Sequence, residues 1–170
     1  VSPDPAAGCL FCRIARSEEP GALVLETRAV VAFLDHRPLF PGHCLVIPRE
    51  HVETLGDLPA GLTAPLWDAV RVLARAVEAA LGADGSFVAV NNRVSQSVPH
   101  LHVHVVPRRR GDGLRGFFWP RGRYASAEEM EETRRRIAAA VAPGAPGECG
   151  LTRPRGGGRG APPGTGCRRC

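Results

Sequence analysis

Three histidines stand at every second position of the stretch PHLHVHVVPRR, residues 99 to 109: His100, His102 and His104. Alternation along an apolar run is the pattern of a strand, whose side chains point to opposite faces in turn. The three imidazoles then share one face, and Leu101, Val103 and Val105 share the other. At about 3.3 Å per residue the α-carbons of His100 and His104 lie roughly 13 Å apart, which makes it hard for one metal to collect all three. Three chemistries compete for this pattern: structural histidines bound to backbone carbonyls, a zinc catalytic site built on two neighbours, or a nucleophilic imidazole with its neighbours orienting it and handling protons. Imidazole, with an ordinary pKa of about 6.5, is available neutral at physiological pH and attacks phosphorus to give a labile product. Gln96 and Ser97 stand immediately before the strand, placed to donate hydrogen bonds to phosphoryl oxygens. These surroundings favour the nucleophile.

A second pattern is Cys9-x-x-Cys12. It is half of a tetrahedral metal site and needs two further ligands. A CxxC can also be redox-active, but no thioredoxin-like pattern surrounds this one. Cys44 alternates with expected core positions and reads as inert, and Cys167-Arg-Arg-Cys170 reads as a chance pattern.

The elements that must carry these residues are short. AVVAFLD (29 to 35) and HCLVIP (43 to 48) are β-branched runs separated by the turn-forming RPLFPG, the mark of a hairpin. Leu66, Val70, Leu73, Ala74, Val77 and Leu81 fall on one helical face, which predicts a helix over roughly 63 to 81, stopped by Gly82. Strands are expected at 86 to 92 and 101 to 106, and a last helix from Ser126, with Glu129 completing a capping box, to about Val141. That helix has mostly charged faces and is expected to pack through Met130, Ile137 and Val141. Short connections between sequence-adjacent strands favour an α+β fold: an antiparallel meander sheet with two packed helices, in one domain over residues 1–141. In residues 142–170, 14 of 29 are Gly or Pro, so this tail is expected to be disordered.

Composition narrows the function. The chain has 170 residues, enough for one cored domain, and is 44% hydrophobic without an apolar run long enough for a membrane span. Its opening, VSPDPAAG, lacks the basic-then-apolar pattern of a secretory signal, so a soluble cytoplasmic protein is expected. The net charge of +5 sits mainly in the tail, where five arginines face only Glu148; 17 arginines and 16 acidic residues remain elsewhere. All 22 basic residues are arginine, which points to coding bias more than to a binding surface, and specific nucleic-acid binding is not expected. Arg108, Arg109, Arg110, Arg115, Arg121 and Arg123 crowd the segment after the histidines, either as a solvated loop or as an electropositive rim for an anionic substrate.

The histidine strand HLHVHVV resembles the signature of the histidine triad (HIT) family. FLDHRPLFPGHCLVIPREHV resembles that family's upstream strand-turn-strand, and QSVPH its approach to the triad. CLFCRI is similar to the opening of a bacterial branch with an N-terminal CxxC zinc motif, and RGFFWPR resembles an actinobacterial one; the likeness runs over about residues 8 to 141. It implies a HIT-like fold and a nucleotide hydrolase or transferase acting at the α-phosphate of nucleoside phosphate conjugates or dinucleoside polyphosphates. His102 would be the nucleophile, forming a nucleotidyl-histidine intermediate, with His104 contacting phosphate and assisting proton transfer and His43 in the same network. Asp35 would hold the ribose hydroxyls, Asn91 or its neighbour Asn92 together with Gln96 and Ser97 the phosphate, and Phe11, Ile14 and Phe33 the base, although core packing is an equally plain role for these three. Cys9, Cys12, His51 and His100 would bind a structural zinc ion. A homodimer and no organic cofactor are implied as well. A nucleotidyltransferase or phosphorylase shares the first half-reaction, and a non-catalytic nucleotide-binding protein is the reading from another class. One departure stands out: NNRVSQS is shorter than the glycine-containing loop of many members and has no glycine.

Overall fold

The computed structural model describes residues 6–114 and 123–141. The chain divides into two compact units, Val1–Gly116 and Phe117–Cys170. The first runs α1 (Leu10–Ala15), β1 (Leu23–Glu26), β2 (Val30–Leu34), β3 (Cys44–Pro48), α2 (Ala60–Leu81), β4 (Gly85–Val90) and β5 (Val103–Arg108); the second contains α3 (Ala127–Val141). The tail from 142 to 170, with its cysteine pattern, lies outside the described residues, as does all of RGFFWPR with Arg115 and Arg121.

The five strands form one sheet in the order β1-β2-β3-β5-β4, every neighbouring pair antiparallel. The hairpin of β2 and β3 is as expected, in continuous register from Val30 opposite Pro48 to Leu34 opposite Cys44. The next pair enters differently from a strict sequential meander. After α2 the chain lays down β4 at the sheet's end, and β5 returns between β4 and β3, with His104 opposite both Leu45 and Ala89. The histidine strand is thereby central, flanked on both sides.

Period-two side chains give the sheet two buried faces. One carries Val30, Ala32, Cys44, Val46, Val103 and Val105 and packs on Leu66, Ala69, Val70, Leu73 and Val77 of α2. The other carries Val31, Phe33, Leu45 and Ile47 and packs on Phe11, Cys12, Ile14 and Ala15 of α1. α2 begins at Ala60, a turn before the expected start, and ends as expected at Gly82, in the left-handed conformation that favours glycine. Half of the expected capping box forms: Ser126 Oγ accepts the Glu129 N–H at 3.2 Å, but the Glu129 carboxylate accepts the N–H of Ala125, one residue before the cap. Met130 and Ile137, expected to pack, are exposed. Among the described residues no helix is long and apolar enough to cross a membrane.

Candidate functional site

β5 begins only at Val103, so His100 and His102 lie on the extended segment leading into it. The alternation nevertheless holds. The Leu101 N–H donates to Val52 O at 2.6 Å, and Leu101, Val103 and Val105 are fully buried on the α2 side. The three histidines emerge on the α1 side in three different settings.

His100 is fully buried. Its Nε2 lies 3.0 Å from Pro48 O, and since a carbonyl only accepts, that nitrogen carries the proton and Nδ1 is left as a lone pair. Nδ1 sits 3.4 Å from Cys9 Sγ and 3.5 Å from Cys12 Sγ, while Cys12 Sγ is 3.3 Å from His51 Nδ1. Four ligand atoms from Cys9, Cys12, His51 and His100 all lie within 4.8 Å of one another. A tetrahedral zinc with bonds of about 2.0–2.3 Å has ligand–ligand edges of roughly 3.3–3.8 Å, so the donor set and its spacing fit that ion, and the Pro48 carbonyl supplies the outer hydrogen bond such a histidine needs. Burial pushes the Cys12 thiol up to about 11, with Cys9 beside it adding to the shift, and pushes His100 down to about 4 against the opposing pull of the Pro48 carbonyl. A bound cation reverses such a thiol shift.

His102 is 2% exposed and its Nδ1 lies 2.7 Å from the carbonyl of His100. Nδ1–H is therefore the donor, and Nε2 carries a free lone pair. The Phe11 ring stands edge-on to His102 with centroids 5.3 Å apart.

His104 Nδ1 is 3.0 Å from His43 Nε2. The Leu39 N–H donates to His43 Nδ1 at 3.3 Å, so His43 carries its proton on Nε2 and donates it to His104, whose own proton is on Nε2. Asp35 Oδ2 lies 3.5 Å from His43 Nδ1, and Asp35 Oδ1 accepts the Arg37 N–H at 2.9 Å. Burial lowers His43, opposed by the Asp35 carboxylate. Burial, then His102 and His43, lower His104 to about 4, again opposed by Asp35. The rings of His102 and His104 are 4.9 Å apart.

A cleft of about 430 Å³ opens over these groups. Phe11, Ile14, Phe33, Asp35, Ser97, His102 and His104 line it, all anticipated from the sequence. Leu10, Glu19, Pro20, Gly21, Ala22, His36 and Val98 line it too and were not foreseen. Their only sequence signal is position: Leu10 lies between the two cysteines, Val98 just before the triad, and Glu19 to Ala22 on the turn between two elements too short to read. His43 stands behind His104. Asn91 and Gln96 are not in the lining. Asn91 Nδ2 donates to Ser95 O at 3.4 Å, while Gln96 accepts from the Arg93 N–H and donates to Glu53 O, both at 2.7 Å. The arginine cluster also divides. Arg108 pairs with Asp112 at 2.5 Å, holding that carboxyl below its usual range, and Arg109 donates to the carbonyls of Leu81 and Gly82. Arg108 thus braces the turn after β5 and Arg109 pins that turn to the end of α2; neither lines the cleft.

An open antiparallel sheet bearing an alternating histidine triad beside such a cleft defines the histidine triad class, and the HIT domain model matches residues 16–111. The chain belongs to the HIT family. Adenylylsulfatase HINT3 of Arabidopsis thaliana is 35% identical over 62% of this chain, which spans 55% of that protein. Adenosine 5'-monophosphoramidase HNT1 of Saccharomyces cerevisiae is 36% identical, over 61% of this chain and 64% of its own length. The chain thus spans less than two thirds of either protein. Among solved structures, a zinc-bound histidine triad family protein from Mycobacterium smegmatis superposes with a TM-score of 0.61 at 34% identity, covering 82% of this chain and 99% of its own.

Proposed function

We propose that the chain is a nucleotide hydrolase that cleaves nucleoside monophosphate conjugates at the α-phosphorus through a nucleotidyl-His102 intermediate. The observation that carries this reading is a pairing of opposite ring nitrogens: His102 has a free lone pair at Nε2 and His104 an N–H at Nε2, on rings 4.9 Å apart in one cleft. In the reaction His102 Nε2 forms a bond to phosphorus as the bond to the leaving group breaks. The departing atom takes a proton from His104. That proton is replaced from His43 across the 3.0 Å bond and, beyond it, from solvent at Asp35. Water then attacks phosphorus, breaks the P–N bond and returns its proton along the same path. The names of the adenylylsulfatase and monophosphoramidase relatives support adenylyl conjugates as the substrate class.

Asp35 at the cleft suits the ribose hydroxyls, Ser97 a phosphoryl oxygen, and Phe11, Ile14 and Phe33 the base. Asn91 and Gln96 shape the phosphate loop from outside. Cys9, Cys12, His51 and His100 hold a structural zinc, which supplies a closed cross-link and no chemistry at phosphorus. A homodimer belongs to the same reading: β4 ends the sheet with an outer edge unpaired among the described residues, and Val88 on it is exposed.

Intact-protein mass spectrometry after brief exposure to adenosine phosphoramidate or adenylyl sulfate tests the proposal. An acid-labile gain of one adenylyl group is expected, lost in His102→Ala while AMP binding remains. Neither adduct nor released AMP from zinc-loaded, folded protein would falsify the hydrolase and leave a nucleotide-binding protein.

A further inference from the structure

We infer that the Cys9–Cys12–His51–His100 cluster sets how tightly the cleft grips the base, its four residues acting as positioning residues for the wall that α1 provides. The inference rests on the nucleotide and zinc readings above. It concerns what the cross-link does for the substrate.

α1 has only six residues, no side-chain N-cap bond and no acidic residue in its first turn. A helix so short does not hold its shape through its own backbone bonds. Its two sides have separate duties. Cys9, at the N-cap, and Cys12, three positions on, meet His51 and His100, while Leu10, Phe11 and Ile14 line the cleft. Phe11 is the hinge between the two: its ring lies 6.0 Å from that of His100, 5.3 Å from His102 and 5.4 Å from Phe33, edge-on in each case. Moving the cysteines therefore moves the apolar wall.

The phosphate end hangs on other supports. Asp35 follows β2, His43 precedes β3 and His104 lies within β5, all held by the sheet ladders. Burial of Phe11, Ile14 and Ala15 against Val31, Phe33 and Ile47 also remains when the cluster is broken, so α1 should loosen without the domain unfolding. Loss of the cross-link is thus expected to weaken the hold on the base and spare the hold on ribose and phosphate.

The test compares affinities for AMP and ribose 5-phosphate, by titration calorimetry on the full chain in zinc-loaded, chelator-stripped and Cys9→Ser/Cys12→Ser forms. Metal content is followed by native mass spectrometry and folding by circular dichroism. The preference for AMP over ribose 5-phosphate should fall about tenfold or more in both metal-free forms, the scale on which a base loses a stacking partner. Zinc should restore it in the stripped protein but not in the double variant. Equal loss of both ligands, as unfolding would give, overturns the inference, and so does an unchanged ratio in protein shown to be metal-free. A chain that takes up no zinc fails at the zinc reading, and one that binds no AMP when loaded fails at the nucleotide reading; either removes the inference with it.

Discussion

His100 and His104 flank His102 two positions away on either side, and in each, burial pushes the ring's pKa down to about 4. Residue type, strand face and titration do not separate them. What separates them is the partner of the second ring nitrogen. His100 gives Nε2–H to a fixed backbone carbonyl and turns a lone pair toward two thiols, a soft donor set. His104 receives a proton from another imidazole, which in turn lies beside a carboxylate at the cleft, so its proton has somewhere to go. A metal clamp and a proton path can thus be built from the same residue on one short segment. The backbone carbonyl between them, that of His100, fixes the tautomer of His102.

The sharpest way to break this comparison is to remove one member from each side. His104→Ala should lower kcat by about a hundredfold or more, the usual contribution of a positioned proton donor, with zinc content unchanged. His51→Ala should remove zinc while the adenylyl adduct on His102 still forms. Steady-state kinetics together with metal analysis of both variants decides the matter. If His104→Ala loses zinc, or His51→Ala loses adduct as completely as His102→Ala, the two clusters are one unit and the division is wrong.

A milder break comes from behind His43. Gly42 has φ +94, a conformation that side chains rarely adopt, and a Cβ there would meet Leu81 Cδ1. Gly42→Ala is expected to cost about 1–3 kcal/mol in chemical unfolding, from backbone strain, since the exposed Leu81 side chain can turn away. It should displace His43 and lower turnover, again with zinc retained. A variant as stable as the parent would show that the PGH turn relaxes freely and does not position His43.

Much of this site was legible because alternation is a strong signal: Leu101, Val103 and Val105 alternate with the three histidines, and only one face can be core. The spacing of Cys9 and Cys12 showed half a metal site, but its other two ligands, His51 and His100, and the His43–His104 network were legible only through the family likeness, since these partners lie far apart in sequence. α1 and β1 were missed for a physical reason. Six and four residues carry too few turns or alternations to show a period, and both elements owe their form to tertiary contacts. The order β3-β5-β4 was out of reach as well, because a short link between two strands fixes their pairing but not which of them joins the rest of the sheet. Gln96 shows the limit of proximity in sequence. It stands next to Ser97, yet both ends of its amide are engaged by the backbone at Arg93 and Glu53.

The finest contrast is electrostatic, because among the described residues the His104 cluster includes a carboxylate and the cysteine cluster does not. Burial is the largest cause of the low pKa of His104, followed by His102 and His43, and among the described residues Asp35 is the group pulling it upward. Between the ordinary value of 6.5 and about 4, an unfolded chain binds a proton at this position that the folded chain refuses. This group therefore adds nothing to the pH dependence above 6.5 and makes the fold less stable as pH falls through that window. Ring-proton NMR should show His104 titrating near 4 rather than 6.5, and thermal unfolding should move to lower temperature between about pH 7 and about pH 5. Asp35→Asn removes this raising influence, so His104 should titrate lower still and the acid-sensitive window should widen at its acid end. The shift is small beside the loss of an imidazole. Its direction is nonetheless diagnostic: a His104 pKa that rises in Asp35→Asn would mean the carboxylate does not act on this ring, and the path from the cleft through His104 and His43 would end before reaching it.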